Sequence, residues 1–141
     1  MSISDCRMVT LSRFEDARGS LTAVEASNDV PFKIERAYWL YDVPEGVARA
    51  AHAHRDLKQL MVALSGSCDV HLDDGLSKMT YRLDCSSRGL YVHPMIWRTI
   101  DNFSKHATLL ILASAHYDES DYFREYSDFL QAARSKRADV R

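Results

Sequence analysis

Glycine and proline are scarce, five and three of 141 residues, which excludes a collagen-like repeat, a Pro/Gly-rich linker and disorder over most of the length. Cysteine occurs three times, at Cys6, Cys68 and Cys85, without a CxxC pair. An odd, irregular set supplies neither a disulfide framework nor a thiolate zinc site, so the three read as small packing residues. Long apolar runs are missing: the longest, residues 107–115 (ATLLILASA), is about half of the roughly 20 residues a membrane-spanning helix needs. No membrane span is expected. Residues 1–20 hold Asp5, Arg7, Arg13, Glu15, Asp16 and Arg18 with no continuous apolar core, so no secretory leader is drawn and the expected compartment is the cytoplasm. Excess positive charge is missing as well. Eighteen Lys and Arg against 20 Asp and Glu give a formal net charge of -2, which leaves no global field to hold a polyanion and argues against nucleic acid as a partner.

What is present suffices for one core: 46% of the residues are hydrophobic and 27% charged, and the length is that of a single domain over 1–141. Period-two alternation with β-branched and aromatic residues recurs over residues 7–11, 20–25, 33–41, 57–64, 67–72, 78–83, 89–92 and 107–114. Turn chemistry separates the runs, most clearly at Asp74-Gly75 and also at Val43-Pro44-Glu45-Gly46 and Ser65-Gly66-Ser67. Short strands without helical crossovers predict an all-β fold, a small antiparallel barrel or jelly roll. The period changes after Tyr117. Asp118 as a cap, with Tyr122, Phe123, Tyr126, Phe129 and Leu130 at three- and four-residue steps, predicts one C-terminal α-helix over about 118–135 and a polar, basic tail over 132–141.

The segment GVARAAHAHRDLKQLMVALSG, residues 46–66, places His52 and His54 two apart on an expected strand, where alternation turns both imidazoles to one face. Two inward histidines in a small barrel serve as metal ligands, as acid/base groups or as hydrogen-bonded core residues, and HxH alone does not choose among these. Along 33–41, Ile34, Arg36, Tyr38 and Leu40 share a face, which aims Tyr38 either at the histidines as a donor or into the core. Arg18, Arg36, Arg49 and Arg98 lie on or beside separate strands and read as a phosphate clamp around one mouth or as solvated surface.

The same segment resembles the first motif of the cupin superfamily: Gly46, His52, His54 and Gly66 fit its glycine, HxH and glycine. Gln59 stands where that motif carries a metal-binding glutamate, and after Pro94 the chain reads MIWRT, where the second motif carries a histidine. With two of the usual ligands replaced, and His93 the one residue near enough to stand in, no metal and no cofactor are expected.

The resemblance narrows to the cupin-type sugar 3,4-ketoisomerases, which act on dTDP-linked 4-keto-6-deoxyhexoses. It rests on RAAHAH, LDDG and the ending YDExDYxRxYxxF over Tyr117 to Phe129, and covers residues 14–129. It implies conversion of dTDP-4-keto-6-deoxyglucose to a 3-keto-6-deoxyhexose through an enediol, in deoxyamino-sugar biosynthesis. His52 is then the base, Tyr38 the acid or hydrogen-bond donor and His54 the supporting imidazole. Arg36 and Arg49 fall on the diphosphate side, Arg18 and Arg98 nearer the sugar, with Gln59 and Trp97 as further substrate-binding candidates. Arg18 resembles the galacto-forming members and Arg98 the gluco-forming ones, so the product's configuration at C4 stays open. A homodimer with exchanged N-terminal strands is also implied. Two other classes compete: a non-catalytic cupin that binds a sugar or nucleotide sugar, and a metal-dependent cupin oxygenase or epimerase, against which the missing glutamate and histidine speak.

Overall fold

Strands with apolar residues at alternate positions must bury one face, and here two five-stranded antiparallel sheets do so against each other. The computed structural model describes residues 2–139. Its strands are β1 (Arg7–Thr10), β2 (Phe14–Asp16), β3 (Gly19–Leu21), β4 (Arg36–Leu40), β5 (Arg49–His54) and β6 (Gln59–Ser65). They continue with β7 (Cys68–Asp73), β8 (Lys78–Leu83), β9 (Arg88–Val92), β10 (Trp97–Asp101), β11 (Thr108–Ala113) and β12 (Tyr122–Phe123), before the helix α1 (Tyr126–Asp139). One sheet runs β1-β9-β6-β11-β4 and the other β12-β5-β10-β7-β8, while β2 and β3 form a separate hairpin. This is the expected antiparallel all-β barrel with one C-terminal helix, a cupin-type jelly roll.

Met61, Ala63, Leu90, Val92, Leu109 and Ile111 from the first sheet meet Val70, Leu72, Leu83, Ile96 and Ile100 between the layers. Strand β6 is buried on both faces, because Leu60 and Val62 turn outward beneath Leu11, Val30 and Phe32. Helix α1 lays Phe129 and Ala133 onto Ala53, Met95 and Phe123. Cys6 and Cys68 are buried in the main core, Cys85 is half-exposed, and all three are free thiols. Gly75 takes the left-handed conformation the β7–β8 turn demands, at φ +91°. The Asp74 carboxylate closes that turn by accepting the amides of Leu76 and Ser77 at 2.8 Å each. No helix among the described residues is long and apolar enough to cross a membrane.

The structure corrects the C-terminal expectation. Asp118 does not cap an α-helix; its side chain accepts the Ser120 amide at 3.0 Å and caps a single 3-10 turn over Glu119–Asp121. Tyr122 and Phe123 then extend and pair with His54 and Ala53, so α1 starts only at Tyr126 and runs to Asp139. Pairing with a free sheet edge outcompetes helix propensity in the first half of the aromatic run. Residues 132–139, expected as a polar tail, are helical, anchored where Arg137 approaches the Asp74 carboxylate at 3.4 Å; residues 140–141 lie outside the described range. Of the strand expected over 20–25, only residues 20–21 are in a strand, as the end of the β2–β3 hairpin that turns at Ala17-Arg18.

Candidate active site

Strand β5 carries the histidines inward and Ala53 outward onto α1. Between Arg49 and His52 the strand bulges: His52 pairs with Arg98 and Ala50 with Thr99, which leaves Ala51 unpaired. Ala50 and Ala51 both take left-handed φ, 72° and 62°. The kink re-aims the strand so that Arg49, Ala50 and His52 all reach one cavity of about 350 Å³ between the sheets. Leu40, Met61, Ile100 and Ile111 make its apolar lining, and Tyr38, Gln59, His52 and Arg98 bring polar groups into it.

His52 and His54 meet edge to face, ring centroids 4.8 Å apart. The Tyr122 ring lies 4.9 Å from His52 and 4.3 Å from His54. Nδ1 of fully buried His54 is 3.0 Å from the Asp121 carboxylate. That carboxylate also accepts the Asp56 amide at 2.8 Å, so it is the acceptor and the His54 proton sits on Nδ1. His54 Nε2 is buried without a partner, and neither buried ring nitrogen of His52 has a side-chain partner; the Ala50 backbone lies beside the His52 ring. Burial first, then the Arg98 and Arg124 cations, push His52 down to about 3. Burial and Arg98 drive His54 the same way, so both imidazoles are neutral at pH 7.

Arg98 is fully buried and has no carboxylate partner among the described residues; it donates to the Ile96 carbonyl at 2.8 Å and to the Gln59 side-chain oxygen. Burial lowers it to about 10, which leaves it cationic near neutrality. Gln59, also fully buried, donates from Nε2 to the Tyr38 hydroxyl at 2.9 Å. Burial raises the Tyr38 phenol above its usual range, so the hydroxyl keeps its proton.

Around the mouth Arg36 stacks over Tyr38 at 4.8 Å and over Tyr117 at 5.7 Å, with its Nε buried and unpartnered. Arg49 joins it at the rim. Neither has a carboxylate partner among the described residues, so with Arg98 three guanidinium groups face one cavity uncompensated, an arrangement suited to an anion with several oxygens. Arg124 covers the Tyr122 ring at 4.0 Å and is held by Glu119 at 2.9 Å. Tyr117 donates to the same carboxylate.

Of the residues singled out from the sequence, Tyr38, His52, Gln59, Arg36, Arg49 and Arg98 line the cavity, and His54 stands directly behind His52. Trp97 does not reach it: its ring packs 5.3 Å from Tyr126 and 5.9 Å from Phe129, beside α1. Nor does Arg18 within its own chain, where it is exposed at the tip of the β2–β3 hairpin and pairs with Asp16 at 2.6 Å. His93 turns away to Tyr91, its Nδ1 2.8 Å from the hydroxyl. Among the described residues no three metal-ligating side chains converge. Sequence reasoning assigned no role to Tyr117, Asp121, Tyr122 or Arg124. Their signal was the density of aromatic and charged residues within YDESDYFREY, a stretch too polar for a core helix.

The FdtA (WxcM-like, C-terminal) family model matches residues 4–134. The chain is 41% identical over 123 residues to the TDP-4-oxo-6-deoxy-alpha-D-glucose-3,4-oxoisomerase of Aneurinibacillus thermoaerophilus, covering 87% of this chain and 88% of the relative. Its structure is similar to that of the WlaRB TDP-quinovose 3,4-ketoisomerase of Campylobacter jejuni, at TM-score 0.88 and 42% identity over 92% of this chain and 99% of the other. A mutant of the 3,4-ketoisomerase QdtA of Thermoanaerobacterium thermosaccharolyticum, solved in complex with TDP-4-keto-6-deoxyglucose, superposes at TM-score 0.93. It shares 31% identity over 96% of this chain and 98% of the other.

Proposed function

The chain belongs to the FdtA family of cupin-type dTDP-sugar 3,4-ketoisomerases, and on that premise we propose that it converts dTDP-4-keto-6-deoxyglucose to the 3-keto isomer by acid/base proton transfer at His52. The observation that carries this reading is a neutral histidine whose ring nitrogens have no side-chain partner, facing a cavity ringed by uncompensated arginines. A nitrogen with a free lone pair removes the C3 proton, made acidic by the C4 ketone. The electrons form the C3–C4 double bond, and O4 takes up the negative charge and then a proton. Tyr38 supplies the fixed donor for that oxygen, and the buried Arg98 cation adds its field from behind Gln59. Return of a proton to C4, with loss of the O3 proton, leaves the ketone at C3 and a hydroxyl at C4. Arg36 and Arg49 take the diphosphate, and the apolar lining keeps water from the enediol. Among the relatives named above, isomerases alone occur, and nothing in them favours a binding module without chemistry.

A second copy completes the assembly in this reading. Phe14 and Leu21 sit opposite each other on the β2–β3 hairpin and are exposed at 66% and 59%. Strand β1 pairs with β9 of its own chain, so the exchange we propose is of the β2–β3 hairpin, which buries Phe14 and Leu21 on a partner and carries Arg18 toward the partner's mouth.

Incubation with dTDP-4-keto-6-deoxyglucose tests the central role. The His52→Asn variant is expected to lose turnover by about 10²- to 10⁴-fold while its dissociation constant for thymidine diphosphate stays within about threefold. Retained turnover, or loss of nucleotide binding in step with turnover, contradicts the assignment.

A further inference from the structure

Gln59 and Arg98 both line the cavity and are fully buried, and the orientation of the Gln59 amide is fixed by chemistry. A guanidinium has only N–H donors, so the Gln59 atom facing Arg98 is the oxygen. The atom facing Tyr38 is therefore the nitrogen, which only donates, so the Tyr38 oxygen accepts this hydrogen bond. The tyrosine's own O–H finds no acceptor among the described residues, and the side chain lines the cavity. Arg98, Gln59 and Tyr38 thus form a chain of donors running one way, from a buried cation to an open hydroxyl. Each bond polarises the next.

We propose that Gln59 is a positioning residue for the isomerisation: locked by Arg98, its amide occupies the acceptor side of the Tyr38 oxygen and turns the phenolic proton to the substrate. This deepens the ketoisomerase reading and rests on it for the identity of the reaction. Gln59 makes no claim on the substrate itself; it acts through Tyr38. The arrangement keeps the donor from collapsing inward, where a carboxylate at the same position would accept the phenolic proton and pair with Arg98 instead. Such a carboxylate would also offset the Arg98 cation, one of the groups holding His52 neutral. The amide therefore aims the donor and leaves the buried cation's field intact.

A double-mutant cycle with Gln59→Met, Tyr38→Phe and the pair tests this with dTDP-4-keto-6-deoxyglucose. Methionine keeps the length and approximate volume without a donor. Gln59→Met is expected to lower kcat by about 10- to 100-fold, the scale of a misplaced catalytic group, with KM changed less than about threefold. On the Tyr38→Phe background it is expected to cost nothing further. An equal loss on both backgrounds, or no loss on either, overturns the proposal. Gln59→Glu serves where the methionine variant does not fold: its kcat falls in the same way and the acidic limb of its pH–rate profile moves up toward the ordinary histidine range. An unmoved profile with full turnover overturns it equally. A readout free of turnover separates this from the assigned reaction. Carbon NMR titration of ring-labelled tyrosine is expected to show the Tyr38 phenol ionising at higher pH in Gln59→Met than in the wild type, because the donated hydrogen bond favours the phenolate. A wild type that turns over no keto sugar, with that shift still seen in Gln59→Met, sinks the ketoisomerase reading while the Gln59–Tyr38 bond stands. An unshifted phenol overturns the positioning role whatever the activity.

Discussion

His52 accepts a proton only while neutral, and three features of its surroundings keep it so: burial, the Arg98 cation beneath it and the Arg124 cation at the rim. The same surroundings cost stability in acid. The folded-state pKa lies near 3 and the ordinary histidine value is 6.5, so between those two pH values the unfolded chain binds the proton that the folded chain refuses. Stability from this group is complete above about pH 6.5 and falls as the pH drops toward 3, by at most about 1.4 kcal/mol per pH unit. His54, displaced in the same direction, adds to the slope. Thermal melts between pH 4 and 6 are expected to show a steep loss of Tm in the wild type and a shallower one in His52→Asn; parallel slopes would show that His52 is not held neutral. Alternation made His52, His54 and Tyr38 legible at this scale, because a two-residue period fixes which side chains share a face. The same period made Trp97 and Arg98 mutually exclusive as cavity residues. Neighbours on β10 point to opposite sides, and the register with His52 sends Arg98 inward and Trp97 to the helix.

Elements place these residues by departing from regularity. The β5 bulge holds two consecutive alanines in left-handed backbone, a conformation costing non-glycine residues about 1–2 kcal/mol each. Ala51 is exposed and unpaired, so glycine there loses few contacts and relieves the strain. Ala51→Gly is expected to raise stability by about 0.5–1 kcal/mol, a shift of roughly 2–4 °C in Tm, as read by calorimetry; an unchanged or lower Tm contradicts strain at the bulge. The β-runs were legible where apolar residues are buried at alternate positions, as at Cys68, Val70 and Leu72 on β7 and Leu109, Ile111 and Ala113 on β11. Strand β10 was not, because its inward positions include Arg98, which erases the apolar signal in WRTID. The C-terminal aromatics gave a helical period, but Tyr122 and Phe123 answer instead to the open edge of β5. That edge exists only once the barrel has formed, and with it the positions of Tyr117, Asp121 and Arg124 against the site.

The whole molecule is two layers with the cavity between them and a separate hairpin that exposes Phe14 and Leu21. In the proposed dimer, the facing exposed side chains of Phe14 and Leu21 are the surface that a second copy covers. Phe14→Glu with Leu21→Glu is expected to convert a dimer to a monomer in sedimentation velocity and to reduce turnover with it; a variant that remains dimeric contradicts docking through this hairpin.

Proton transfer between C3 and C4 within this barrel is the reaction that the whole site serves. Proton NMR of chelator-treated protein with dTDP-4-keto-6-deoxyglucose in deuterated water follows it directly. The predicted result is loss of the C3 proton signal and growth of a 3-keto product, its ring couplings reporting the configuration at C4, with neither change in His52→Asn. Saturable binding of the nucleotide sugar with no exchange at C3 and no 3-keto product in the wild type would contradict it.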